Sequence, residues 1–154
     1  IELISEKKLI GVSVKMSLVN NKTFQLWHSF SPKIKSIANR VSSDRISMQV
    51  YGPTFHSEFN PNNEFEKWAL VDVESIDNVR EGMKPFILNG GLYAVFEYVG
   101  SSNDRGIFED IFNYWLPKSK YILDNRPHFE ILGEKYKNND PLSEEEIWIP
   151  ILVN

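Results

Sequence analysis

Glu130 lies inside an apolar run, Arg126-Pro127-His128-Phe129-Glu130-Ile131-Leu132-Gly133. An acid at such a place faces either solvent or a group it was placed to meet. The chain holds four Trp, six Tyr and ten Phe, 13% aromatic residues in all. That load favours a binding pocket with one buried negative charge over a merely aromatic-rich core. A cation held between aromatic faces and a carboxylate gains cation–π and Coulomb attraction together, the cation–π part being on the order of 0.5 to 2 kcal/mol. Without a ligand, a buried glutamate drifts toward its neutral form. The matching ligands are flat, lipophilic and cationic.

Other chemistries find little support. The absence of cysteine excludes thiol catalysis, disulfides and thiolate-bound metals. His28, His56 and His128 lack the spacing of a metal-ligand set. No phosphate-binding loop, dinucleotide fingerprint or nucleophile elbow is present, and Gly90-Gly91 fits a turn or bulge. Neither a metal nor a cofactor is expected. The net charge is −4 and no basic cluster exceeds short pairs such as Lys7-Lys8. Phosphate neutralisation requires clustered Lys and Arg, so direct nucleic-acid binding is not expected. No apolar run approaches the roughly 20 residues of a membrane span. The N-terminal residues carry no signal-peptide pattern, and a cytoplasmic location is expected. The first residue is not Met, so residues upstream of Ile1 are expected to be missing from this numbering.

The elements that must position Glu130 follow from hydrophobic periodicity. A length of 154 residues fits a single domain, 1–154, or two small halves sharing a core. Leu9 to Leu18 alternates with period two and reads as a strand. Thr23 is a candidate N-cap for a helix over Phe24–Phe30, and Ser31-Pro32 resembles a second helix start. Ile34, Ile37, Ala38 and Val41 continue a helical stripe, so one helix kinked near Pro32 is expected. Arg45–Tyr51 reads as a strand, Phe55–Asn63 as a loop and Phe65–Val73 as a strand, with Ser75–Lys84 connecting onward. Phe86–Val99 reads as a strand pair or one long bent strand, broken at Asn89-Gly90-Gly91. Asp104–Leu116 is an amphipathic helix with Ile107, Phe108, Ile111, Phe112 and Trp115 on its apolar stripe. Pro127–Gly133 and Glu146–Val153 are the last strands, separated by a polar loop over Tyr136–Ser143.

Each half therefore runs strand, helix, strand, loop, strand, with pseudo-repeats of about 1–80 and 81–154. Met48-Gln49-Val50-Tyr51-Gly52 aligns with Phe129-Glu130-Ile131-Leu132-Gly133. Phe65-Glu66-Lys67-Trp68 aligns with Glu145-Glu146-Ile147-Trp148. Strand faces alternate, so Glu130 and Leu132 share one face, and by the repeat Gln49 and Tyr51 share its equivalent. If Ile131 faces a helix layer, Glu130 faces away from it. Trp68 and Trp148 form the matching pair on the last strands. The expected groove has Gln49, Tyr51 and Trp68 on one side and Glu130, Leu132 and Trp148 on the other, pseudo-symmetric in shape and asymmetric in charge. Glu146 shares parity with Trp148 and can face the same groove. Tyr93 and Trp115 complete the candidate set, although Trp115 on its apolar stripe is more simply read as core.

These segments resemble the GyrI-like, or AraC-type effector-binding, family of small-molecule-binding domains. The resemblance rests on Gly91-Leu92-Tyr93-Ala94-Val95-Phe96, on Ile111–Pro117 ending in Trp115-Leu116-Pro117, on Pro127-His128-Phe129-Glu130, and on Ile147-Trp148-Ile149-Pro150-Ile151. Leu26-Trp27, Gln49-Val50-Tyr51 and Phe65-Glu66-Lys67-Trp68-Ala69 resemble the first half. It implies an α+β fold: a duplicated β-α-β-β module whose antiparallel sheet carries two helices on one side, with a groove between the halves. It implies Glu130 as the acidic ligand-binding position, with Glu146 and Trp148 on the strand that supplies further pocket residues. No helix-turn-helix precedes the module, so the chain is similar to stand-alone members. The leading expectation is a module that senses or sequesters lipophilic, cationic or aromatic small molecules, in the setting of drug or toxin resistance. The alternative that the resemblance implies is a hydrolase of cyclopropane-bearing alkylating toxins, with Glu130, assisted by Glu146 or Tyr93, activating water. A third is a protein-binding modulator. Its candidate partners are a second copy of the chain, a DNA-binding protein or a topoisomerase such as DNA gyrase.

Overall fold

The computed structural model describes residues 1–154. Nine strands form: β1 (Glu2–Ile4), β2 (Lys7–Met16), β3 (Arg45–Val50), β4 (Phe65–Val73), β5 (Lys84–Leu88), β6 (Gly91–Val99), β7 (Tyr121–Leu123), β8 (His128–Leu132) and β9 (Glu144–Val153). The helical segments are α1 (Thr23–Phe30), running into a 3-10 turn over Ser31–Ser36, and α2 (Gly106–Asp110), which passes through a π turn (Ile111–Trp115) into α3 (Leu116–Lys118). All strand pairs are antiparallel, in the order β1-β6-β9-β8-β3-β4-β2-β5, with β7 added on β9. The fold is α+β, with two helices on a nine-stranded sheet curled into a half-barrel.

The curl follows from the connections. β1 leads into β2 and β5 into β6 across two residues each, yet these strands stand at opposite ends of the order. The ends of the sheet must therefore meet. At the second crossing, any side chain on Gly90 would run into the carbonyl oxygen of Ile4, so only glycine fits. The inner face of the curl holds Leu9, Ile46, Met48, Trp68, Leu70, Leu88, Tyr93 and Phe129, each at most 5% exposed with no helix over them.

The opposite face carries both helices. Leu26 and Phe30 of α1, with Ile34 of the 3-10 turn, pack on Ile10, Ala69, Val71 and Val73. The stripe Ile107, Phe108, Ile111, Phe112 and Trp115 packs on Ala94, Ile147, Ile149 and Ile151. Each fully buried Phe, Leu or Ile here contributes roughly 1.5–3 kcal/mol relative to exposure.

The strand order reads the same from either end when β5 is exchanged with β1, β2 with β6, β4 with β9 and β3 with β8. Register agrees: Met48 opposes Trp68 as Phe129 opposes Trp148, and Gln49 opposes Lys67 as Glu130 opposes Ile147. Trp68 Nε1 donates to Glu66, and Trp148 Nε1 donates to Glu146, the same two-residue offset in each half.

Several expected boundaries move. Thr23 is the first helical residue instead of the cap, and its N–H donates to Asn21 Oδ1 at 2.9 Å. The chain does not kink at Pro32 into a second α-helix but tightens into the 3-10 turn, where Pro sits in the first turn and removes no needed donor. The stripe stops there: Ile37 is extended and Val41 is 58% exposed. Phe86–Val99 is two strands that pair with different partners, β5 with β2 and β6 with β1 and β9. The last strand starts at Glu144, two residues earlier than the apolar pattern indicates. β1 and β7, at three residues each, are too short for periodicity to register.

Candidate small-molecule pocket

The two helices sit over different halves of the sheet, and the strands between them, β3 and β8, are left uncovered by either. Side chains that point to the helix side from this gap form a floor. Register assigns them: Ser47 opposes both Ala69 and Glu130, and Glu130 opposes Ile147. Ala69 lies under α1 and Ile147 under α2, so Ser47, Gln49, Lys67 and Glu130 share the helix-side face. Above them opens a cavity of about 610 Å³.

Its walls are aromatic on both sides. Phe24 and Trp27 come from α1, Tyr51 and Phe65 from the ends of β3 and β4, Phe108 from α2, and Tyr136 from the loop after β8. Leu132 and Glu145 extend the second-half side, and Ser102, Asn103, Arg105, Asn138 and Asn139 form a polar rim. This mixture of apolar walls and a few converging polar groups is typical of small-molecule sites.

The charged lining residues are Lys67 and Arg105 against Glu130 and Glu145. Glu130 Oε1 accepts a hydrogen bond from Gln49 Nε2 at 3.2 Å. The chain's ion pairs are Lys7–Asp72, Arg126–Asp124 and Lys135–Glu144, so none of the four is paired within 4.0 Å. Burial raises the Glu130 carboxyl above its ordinary range, against the opposing pull of Lys67, the Gln49 hydrogen bond and Arg105. Glu145 is pushed up to about 7, first by burial and then by the neighbouring Glu130 charge. Lys67, 6% exposed, is lowered by burial, with Glu130 and Glu145 acting the other way. Burial likewise raises Tyr51, whose ring packs edge-on against His128 at 4.9 Å. The site is thus a set of ionisable groups held out of water with their charges only partly satisfied, the condition under which a ligand's own charge counts most.

Of the residues singled out from sequence, Gln49, Tyr51, Glu130 and Leu132 come together on this cavity. Trp68, Trp148, Glu146 and Tyr93 do not. They belong to the inner face of the curl, where Trp148 stacks on Phe129 at 5.2 Å and Tyr93 donates to the Pro127 carbonyl at 2.8 Å. The cause is parity. Glu130 lies opposite Ile147, so its face on β9 is that of Glu145 and Ile147, and Glu146 and Trp148 point away. Glu130 faces the helix side and Ile131 the inner face, the reverse of the arrangement expected from sequence. Trp115 packs in the α2 core between Phe96 and Tyr121. The three side chains named for hydrolysis, Glu130, Glu146 and Tyr93, are therefore split between two faces. Lys67, Glu145, Arg105, Trp27 and Phe108 were missed. Lys67 carried the signal that marked Glu130, a charge within an apolar run, Trp68-Ala69-Leu70-Val71 following it directly. No group of three or more His, Cys, Asp or Glu side chains is arranged to hold a metal ion, and no helix is long and apolar enough to cross a membrane.

A curled antiparallel sheet with two helices on one face and a cavity between them defines an effector-binding type of domain. The chain matches the family model of Cass2, the integron-associated effector binding proteins, over residues 1–151, and it belongs to that family. It is 26% identical over 145 residues to the transcriptional regulator BrlR of Pseudomonas aeruginosa, an alignment covering 93% of this chain and 51% of that protein. The chain thus spans about half the length of this curated relative. Two solved structures share the fold. SAV2435, bound to tetraphenylphosphonium, superposes with a TM-score of 0.73 at 12% identity, covering 98% of this chain and 92% of that one. An integron cassette protein from the mobile metagenome of Vibrio cholerae gives 0.65 at 17% identity, covering 98% and 94%.

Proposed function

We propose that this protein binds lipophilic, aromatic small molecules carrying a positive charge, in the cavity between α1 and α2, as a sensing or sequestering module. The observation that carries the reading is the unpaired carboxylate pair, Glu130 and Glu145, beneath the aromatic walls Phe24, Trp27, Tyr51, Phe65 and Phe108. A cation there meets π faces and two carboxylates in a partly desolvated space, where cation–π contacts reach about 2 kcal/mol. The bound tetraphenylphosphonium of SAV2435, a structural relative, supports this ligand class. BrlR, a transcriptional regulator of which this chain spans about half, favours sensing over sequestration. Hydrolysis is the second reading: a hydrolase from Listeria innocua shares the fold with a TM-score of 0.60 at 11% identity, covering 98% of this chain and 90% of that one, but the acid has no partner from the expected constellation on its own face.

The direct test is calorimetric titration with tetraphenylphosphonium and a panel of aromatic cationic dyes. Saturable one-to-one binding is expected, with affinity weakened about tenfold in Glu130→Gln. Absence of saturable binding across the panel would overturn the reading, and unchanged affinity in the variant would remove the part assigned to Glu130.

A further inference from the structure

The pocket that this reading assigns to a cation already contains one. Lys67, the third residue of β4, projects into the cavity floor. Its neighbours across the sheet are Val14 on β2 and Gln49 on β3. Its ammonium nitrogen donates to no protein group and stands in no ion pair, although the side chain is buried. At the equivalent place in the second half stands Ile147, and opposite it Glu130 replaces Gln49. The charge asymmetry is thus twofold. The first half presents an amine where the second presents an apolar side chain, and the second presents an acid where the first presents an amide.

The strand order turns this into a direction. Lys67 lies on β4, Gln49 on β3, Glu130 on β8 and Glu145 on β9, four adjacent strands at about 4.8 Å spacing. Positive charge stands at one end of the floor and negative charge at the other. Arg105, at the rim over Phe108, adds a second positive group above the acidic half, so the direction along the floor is set by Lys67 against Glu130 and Glu145. Fully ionised, the lining carries two positive and two negative side chains, so a simple cation leaves the pocket with net positive charge and an unmatched ammonium. A ligand that fills the cavity takes water away from this ammonium, and one that supplies an acceptor in its place avoids the cost of stranding the donor.

We propose that the natural ligands are amphoteric aromatic molecules. In this assignment the cationic end lies toward Glu130 and Glu145, and a carboxylate or comparably anionic oxygen at the far end accepts from Lys67. The aromatic body between them fills the space walled by Trp27, Tyr51 and Phe108. This rests on the proposed function and deepens it: the site selects by two charges on one axis, so Lys67 is a specificity-determining residue.

A matched pair of probes tests it. A cationic rhodamine ethyl ester and its zwitterionic free acid share the same aromatic body and differ in the carboxylate. The purified full chain is titrated with each, by fluorescence polarisation at pH 7.5. The free acid is expected to bind the native protein at least about tenfold more tightly than the ester, a difference of about 1.4 kcal/mol. Lys67→Met, close to Lys in shape, is expected to abolish or reverse that preference by weakening the acid and sparing or strengthening the ester. An ester bound as tightly as the acid by the native protein overturns the proposal while leaving the cation-binding function intact. Binding of neither probe, together with failure of the dye panel, overturns that function itself. The native preference stands as a test independently of whether the variant folds. A preference that persists in a folded Lys67→Met, as judged by circular dichroism, removes Lys67 from the assignment.

Discussion

The sharpest consequence of the pocket electrostatics concerns pH. Glu145 is held up to about 7 by burial and by Glu130, and Glu130 is itself raised by burial. A raised carboxyl is neutral below its pKa and negative above it, so attraction for a cation is present at alkaline pH and lost as pH falls. Tetraphenylphosphonium has a permanent charge and does not titrate, so any pH dependence of its affinity belongs to the protein. If binding requires one ionised carboxylate of pKa about 7, the ionised fraction falls from one half at pH 7 to about one hundredth at pH 5, and the apparent Kd rises about 50-fold. Above pH 8 the affinity levels off. The measurement is calorimetric titration from pH 5 to 8 at constant ionic strength, in two buffers of different ionisation enthalpy. Near pH 7, uptake of the cation is expected to release a fraction of a proton, visible as a buffer-dependent heat. Glu145→Gln should flatten the profile in its upper range, and Glu130→Gln should weaken binding across the whole of it. An affinity constant from pH 5 to 8 in the native protein would refute the reasoning, because it would mean that neither acid meets the ligand's charge.

Two further outcomes follow from placement. Trp27 lines the cavity and Trp68 faces the inner side of the curl, so Trp27→Ala should weaken a cationic aromatic ligand about 2- to 30-fold, whereas Trp68→Phe should leave affinity within about twofold, both read by titration. His128, buried against Tyr51, His56 and Phe112, is held down to about 3 by burial and then by His56. For a base with a depressed folded pKa, stability is present above the unfolded value of 6.5 and is lost as pH falls toward 3. His128 alone therefore costs about 2 kcal/mol between pH 7 and 5. In urea unfolding, His128→Leu should reduce the acid sensitivity by about that amount, and an unaltered pH dependence would show that this imidazole takes up its proton without penalty.

Much of the architecture was legible because periodicity reports which residues need burial. The alternation Ile46, Met48, Val50 and the stripe Ile107, Ile111, Trp115 mark their elements with no knowledge of what covers them. The repeat makes Gln49 and Glu130 equivalent positions without pairing them, and in the structure the two side chains share one face and are hydrogen-bonded across β3 and β8. Less legible was which aromatic residues join them. Trp68 and Trp148 are equivalent to each other, but equivalence between halves does not say which face a residue shares with a neighbour on another strand. A shift of one residue in register exchanges every side chain between faces. Pairing of Glu130 with Ile147 brings Glu145 to the cavity and takes Glu146 and Trp148 away from it.

By itself, the sequence determined the kind of chain: strands and amphipathic helices in two similar series, an acid inside an apolar strand, no thiol chemistry, and a family whose model spans residues 1–151. These are local or composition-borne properties, set by what each segment must bury. Only the tertiary structure decided the location and charge of the pocket. The ends of the sheet meet, which fills its inner face with Trp68, Trp148, Tyr93 and Phe129. The two helices each cover one half of the outer face, which leaves Gln49, Lys67 and Glu130 open between them. Whether a lysine 63 residues before Glu130 lines the same floor depends on strand order and register. Both are non-local, set by how the whole sheet closes, and no window of sequence contains them.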